Sequence, residues 1–247
     1  MASQTKAITS VVLMTLFEEN KFQLDDSIEK YLPQLAHPRV YVSGSVKDGD
    51  LVTKPATRSI TIRHLMSHTS GYGYDPFGQE LEGFAYRQVL TASRDLLDRF
   101  AKVPLLHEPG ERFTYGFSTD VLGLLAEVIG GKPLDVLMRE RVFEPLGMED
   151  TFFTIPKEKR ERLVQLYTRE NDSSAFKLHP DPFAQDYPKM ENKQTFCGGG
   201  EAVATGMDVA LPRKDNTGAQ NLKFAIDNVR EQAEVALRQA LSDQHEV

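Results

Sequence analysis

Residues 3–33 read SQTKAITSVVLMTLFEENKFQLDDSIEKYLP, and this stretch decides the fold. Its apolar residues Ala7, Ile8, Val11, Val12, Leu13, Met14, Leu16 and Phe17 fall on nearly every side of a helix drawn over residues 3–19. A helix that is apolar all round belongs inside a core rather than on its surface. The run AITSVVLMTLF, with Lys6 before it, also has the length of a signal-peptide core. EENKFQLDD follows at once, however, with no small-residue cleavage site. The buried helix is therefore the reading adopted. Ser3 and Lys6 stand three residues apart on one face of its first turn. A serine hydroxyl is a poor nucleophile until a base takes its proton, and lysine is one of the side chains that can do so. A helix start adds free N–H groups and a dipole that favour an oxyanion. S-x-x-K is a common string all the same. On those four residues alone, a helix cap followed by a solvated lysine is the better account.

Working outward, RVYVSGSVKDGDLVTKP (39–55) predicts a β-hairpin, with β-forming flanks around a Gly/Asp/Ser turn. Thr61 is placed to cap the helix IRHLMSH, and TSGYGYDPFG follows as a loop. A longer helix is expected from about residue 80 to 101. FSTDVLGLLAEVI forms the next, ending at the Gly130-Gly131 cap signal. Pro133 opens another that runs to about Val142. PKEKRERLVQLY (156–167) is read as a further amphipathic helix, and 169–196 as polar and loop-rich. CGGGEAVATGMD (197–208) is a glycine turn leading into a short helix, and LPRKDNTGAQ a linker. From Asn221 to His245 the apolar positions Leu222, Ala225, Ile226, Val229, Ala233, Ala236, Leu237, Ala240 and Leu241 keep helical spacing. The reading is mainly α.

Composition narrows the function. The 247 residues carry a formal net charge of −7 and no long basic run, which argues against nucleic acid or an anionic membrane as the main partner. No stretch approaches the roughly 18–20 apolar residues of a membrane span. A single cysteine, Cys197, excludes an internal disulfide framework and leaves the compartment open. His64 and His68 have the i, i+4 spacing of a metal pair, but leucine stands at 65 where a zinc protease has glutamate, and no third ligand suggests itself. The glycines at 198–200 lack the following G-K-[ST] of a phosphate loop, and no G-x-S-x-G elbow occurs. Cys197 is best read as a small buried residue.

Four segments change the weight of S-x-x-K. These are the opening stretch, ITIRHLMSHTSGYG (60–73), the run HEPGERFTYGFSTDVLGLLAEVIGGKPLDVLMRERVFEPLGMEDTFF (107–153), and CGGGEAVATGMD. In this order they resemble the β-lactamase-related serine hydrolases. That family includes class C β-lactamases, D-alanyl-D-alanine carboxypeptidases, D-aminopeptidases and esterases. The resemblance implies Ser3 as the acylated nucleophile, Lys6 as its base or proton relay, and Tyr115 as the family's motif tyrosine. Phe117 stands where many members carry asparagine, which leans toward the esterase-like members. Read without its flanks, Tyr115 is an ordinary tyrosine at the edge of a core.

What the resemblance implies is acyl transfer to and from a small-molecule ester or amide, with no cofactor and no metal. It also implies the α-lobe of the β-lactamase/penicillin-binding-protein-like fold. Residues 1–208 are expected to form that lobe, 209–220 a linker, and 221–247 a helical tail unlike the family. Most of the family's antiparallel sheet and its third motif, K-T-G or H-x-G, are not found. KDNTG (214–218) is the nearest string. Family members usually work outside the cytoplasm, and no export signal is read here. Two expectations follow from a missing sheet: an apolar face of the first helix left open to self-association, and a rival reading of the chain as a non-catalytic remnant or interaction module.

Overall fold

The computed structural model describes residues 2–44, 49–74, 96–165, 167–169, 171, 173–178, 196–200, 202–204 and 208. The helices expected over most of 80–101 and over 221–245, the linker 209–220 and KDNTG lie outside them, apart from a helical end, α3, at Leu96–Phe100.

The stretch that decides the fold forms a 3₁₀ turn at Ala2–Gln4 running straight into helix α1, Thr5–Glu18. Ser3 thus stands on the 3₁₀ turn and Lys6 on the first turn of the α-helix. Ile8, Val11, Val12, Leu13, Met14 and Leu16 are all buried. Helix α4 (Ser118–Gly130) packs along α1. So do α5 (Leu134–Met138) and the π-turn Arg139–Phe143 that follows it. The expected open apolar face is therefore not found, because these side chains are covered. The helix gives self-association no support.

Between α1 and α4 the chain makes the predicted hairpin. Strand β1 (Arg39–Ser43) pairs antiparallel with β2 (Val52–Pro55), matching Val40 with Lys54 and Tyr41 with Thr53. The other edge of β1 is held by Leu105, whose N–H donates to the Arg39 carbonyl at 2.7 Å and whose carbonyl accepts from the Tyr41 N–H at 2.8 Å. Helix α2 (Ile62–Met66) begins at Thr61, as expected. The Thr61 hydroxyl accepts from the His64 N–H at 3.2 Å, and the His64 Nδ1 accepts from the Thr61 N–H at 3.2 Å. Together they close a capping box in which histidine takes the place of the usual glutamate or glutamine.

Ahead of Pro33 the chain forms a 3₁₀ turn, Ile28–Lys30. Two local expectations are corrected. The helix opened by Pro133 stops being α-helical at Met138 and widens into the π-turn. Pro145 lacks the N–H that would serve the Arg141 carbonyl, and the wider turn buries Val142 and Phe143 together. The amphipathic helix predicted at 156–167 is only a 3₁₀ turn, Lys157–Arg162, after which Leu163 turns extended. Its charged residues dock no apolar stripe, and Val164 is left 83% exposed. Short helices without such docking do not hold. The chain instead forms β3 (Tyr167–Thr168) against β4 (Lys177–Leu178). Among the described residues the strands make two separate two-stranded sheets, and the helices carry the core.

Candidate active site

Three chain segments meet at the start of α1. The first is the Ser3–Lys6 turn itself. The Lys6 Nζ donates to the Ser3 hydroxyl at 3.4 Å and also to the carbonyl of Gly199. It lies 4.9 Å from the centre of the Tyr115 ring and 5.7 Å from that of Tyr74. The ammonium is thus shared between a serine, a backbone carbonyl and two aromatic faces.

The second segment carries Tyr115. It is laid in place by Gly116, where a Cβ would overlap the Tyr72 carbonyl and the Gly73 backbone. Only glycine allows the two chains so close. The Thr114 N–H donates to the His68 carbonyl at 2.8 Å, and the buried Ser70 and Ser118 hydroxyls bond at 2.9 Å. Tyr74 stands edge-on to Phe117 at 4.5 Å and to Tyr115 at 5.6 Å. Phe117 is buried in this aromatic cluster, so its side chain serves the core. The Tyr115 phenol hydrogen-bonds Ser3 and Lys6. Burial pushes its pKa up, but those two bonds and the Lys6 charge outweigh burial and leave it below the usual tyrosine value.

The third segment is the glycine turn at 198–200. The Thr9 hydroxyl donates to the Gly198 carbonyl at 2.7 Å, and the Ala202 N–H donates to the Thr5 hydroxyl at 3.2 Å. The Gly199 N–H donates to the Asp120 carboxylate at 3.0 Å. Asp120 is buried on the first turn of α4, and burial pushes its pKa up to about 6 against the opposing pull of Lys6 and the Gly199 N–H. His68 packs its ring 5.0 Å from that of Tyr115, in a left-handed backbone conformation (φ 55°). Burial, reinforced by the Lys6 charge, brings the His68 pKa down to about 4, so the ring is neutral near pH 7.

The structure therefore brings Ser3, Lys6 and Tyr115 together. It separates the two histidines, with His64 in the α2 cap and His68 beneath Tyr115. Cys197 is buried next to the glycine turn. Sequence reading missed Asp120 and Tyr74. An aspartate on a helix's first turn is ordinary dipole chemistry, which hides it. The apolar run Val121, Leu122, Leu124, Leu125, Ala126 that follows it, marking a buried helix, was the available signal.

A helical body with a serine and lysine at the start of a buried helix, faced by a tyrosine, defines the β-lactamase/penicillin-binding-protein-like class. The chain belongs to the beta-lactamase family, whose family model matches residues 1–227. It is 32% identical over 211 residues to protein Rv1367c of Mycobacterium tuberculosis, covering 84% of this chain and 50% of that protein. It is 30% identical over 170 residues to the lovastatin esterase of Penicillium rubens, covering 67% and 42%. Among solved structures it is similar to EstCE1, a hydrolase with promiscuous acyltransferase activity, at a TM-score of 0.64 and 25% identity, covering 85% of this chain and 56% of that one. The chain thus spans half or less of the length of these two relatives.

Proposed function

We propose that this chain carries a serine acyl-transfer centre of the esterase and acyltransferase kind, with Ser3 as nucleophile. The observation that supports it is the hydrogen-bonded meeting of Ser3, Lys6 and Tyr115 across more than a hundred residues of sequence. In this reading the Ser3 oxygen attacks the acyl carbon of a small ester or amide while its proton passes to the Tyr115 oxygen. Tyr115 accepts it as the phenolate: its lowered pKa puts more of the ring oxygen in that form, and the Lys6 ammonium stabilises the negative charge until the proton arrives. The tetrahedral intermediate collapses, Tyr115 returns the proton to the leaving oxygen or nitrogen, and an ester to Ser3 remains. Water, or an acceptor alcohol, then repeats the sequence and frees the acyl group. No cofactor enters.

Esters are favoured over amides because an alcohol leaving group needs less protonation. The names of the relatives agree, one being an esterase and another a hydrolase that also transfers acyl groups. The rival reading is a non-catalytic remnant or interaction module that binds a partner without turnover. A fluorophosphonate probe decides between them. One added phosphonyl mass on the peptide containing Ser3, lost in Ser3→Ala, supports the centre. An unlabelled protein that also leaves p-nitrophenyl butyrate intact supports the rival.

A further inference from the structure

We propose that Asp120 is a positioning residue for this centre: from inside the first turn of α4 it seats the Gly199 backbone, whose carbonyl fixes the Lys6 ammonium between Ser3 and Tyr115. The inference rests on the acyl-transfer reading. Asp120 is 5% exposed, and its carboxylate accepts the Gly199 N–H at 3.0 Å. The carbonyl of the same glycine accepts from Lys6. Gly199 is therefore clamped by an acid on one side and a cation on the other. A Cβ at 199 would overlap both Asp120 carboxyl oxygens, so the clamp closes only on glycine. The Tyr74 phenol donates to Asp120 as well, and the ring of Tyr74 lies edge-on to Tyr115.

A neutral acceptor would hold one N–H and one phenol without the cost of burying a carboxylate. The negative charge is thus more than the local hydrogen bonding requires, and it faces the centre. The titratable groups around it are Lys6 from α1, His68 and Tyr74 from the chain after α2, and Tyr115 ahead of α4. Lys6 draws the Tyr115 phenol down, and Asp120 pushes it up. Asp120 therefore acts on the centre chiefly by placing the Lys6 ammonium, its own charge being a smaller influence on the Tyr115 phenol than that of Lys6.

The test compares the full chain with Asp120→Asn. The rate of fluorophosphonate labelling is followed against pH, and Tyr115 ionisation is followed by ultraviolet titration as the difference from Tyr115→Phe. We expect the plateau labelling rate to fall about ten- to hundredfold through misplacement of Lys6. Because the Lys6 hydrogen bond and charge weigh more on the phenol than Asp120 does, a misplaced Lys6 should move the rising limb and the Tyr115 titration to higher pH. An unchanged rate with unmoved pH profiles overturns the proposal. A protein whose Ser3 is never labelled ends the acyl-transfer reading instead, while the tyrosine titration still shows whether Asp120 and Tyr115 are coupled. Should Asp120→Asn fail to fold, Tyr74→Phe removes a donor to Asp120 and keeps the ring. The step that Asp120 contributes to the profile should then move to higher pH, and a profile identical to wild type overturns the proposal.

Discussion

Asp120 and Asp150 sit in two regions that treat the same side chain in opposite ways. Asp120 lies inside, where α1, α4 and the glycine turn meet, and burial raises its carboxyl to about 6. Asp150 lies on the surface beside the 157–162 turn. Arg162 and Lys159 each bond it at 2.8 Å and hold its carboxyl far below the usual range. The surface acid is satisfied by charges that come from nearby in the sequence and remain open to water. The interior acid is satisfied by a backbone N–H from 79 residues away and a phenol, with a cation facing it. Surface ion pairs of the first kind carry little stability. Buried polar clusters of the second kind are costly unless every member is met, and perturbed groups collect where chemistry is done.

The comparison breaks most visibly at the centre itself. Ser3→Ala should abolish both labelling and hydrolysis of p-nitrophenyl butyrate. Undiminished turnover in the purified variant would place the chemistry elsewhere. Lys6→Ala and Tyr115→Phe should each lower kcat/KM by roughly 10² or more, the scale for losing a general acid or base. Gly116→Ala tests the scaffold behind them. Its methyl meets backbone at Tyr72 and Gly73 rather than a yielding side chain, so a loss of about 1–3 kcal/mol is expected in urea unfolding.

A finer difference appears on acidification. His68 has a pKa of about 4 when folded against an ordinary 6.5, so between those values the unfolded chain binds the extra proton and stability falls as pH falls. Asp120 titrates at about 6 when folded against an ordinary 3.8, so over its window the folded state binds the proton and stability rises as pH falls. Between about pH 4 and 6 the two oppose each other. Asp120→Asn should expose the His68 loss, approaching roughly 1.4 kcal/mol per pH unit. His68→Asn, which tolerates the positive φ, should turn the slope the other way. Parallel curves for wild type and both variants would show that neither group is as buried as it stands here. The smallest effect is expected outside the centre. Asp150→Asn should leave labelling unchanged and shift Tm less than Gly116→Ala does.

Much of the frame was legible because it is written locally. The buried character of α1 follows from apolar residues on every side, the α2 cap from Thr61, the end of α4 from Gly130-Gly131, and the hairpin from β-forming flanks around a turn. The places where reading failed are those where docking, not propensity, decides. The charged run 157–162 has helix formers but nothing to pack against, and a π-turn before Pro145 interrupts a helix whose start was read correctly. At the site, Ser3 and Lys6 share a helical face and could be paired from spacing alone. Tyr115 was joined to them by resemblance.

By itself, then, the sequence determined the helices α1, α2 and α4, the start of α5, and that a serine and a lysine share one helical face. Periodicity and capping act over a few residues and need no distant partner. Only the tertiary structure decided that Gly199 is clamped between Asp120 and Lys6, that His68 lies against Tyr115 while His64 closes a cap, and that Phe117 belongs to the core. Those outcomes depend on burial and on hydrogen bonds between residues scores of positions apart. No local pattern encodes which buried charge will meet which backbone group once the helices have packed.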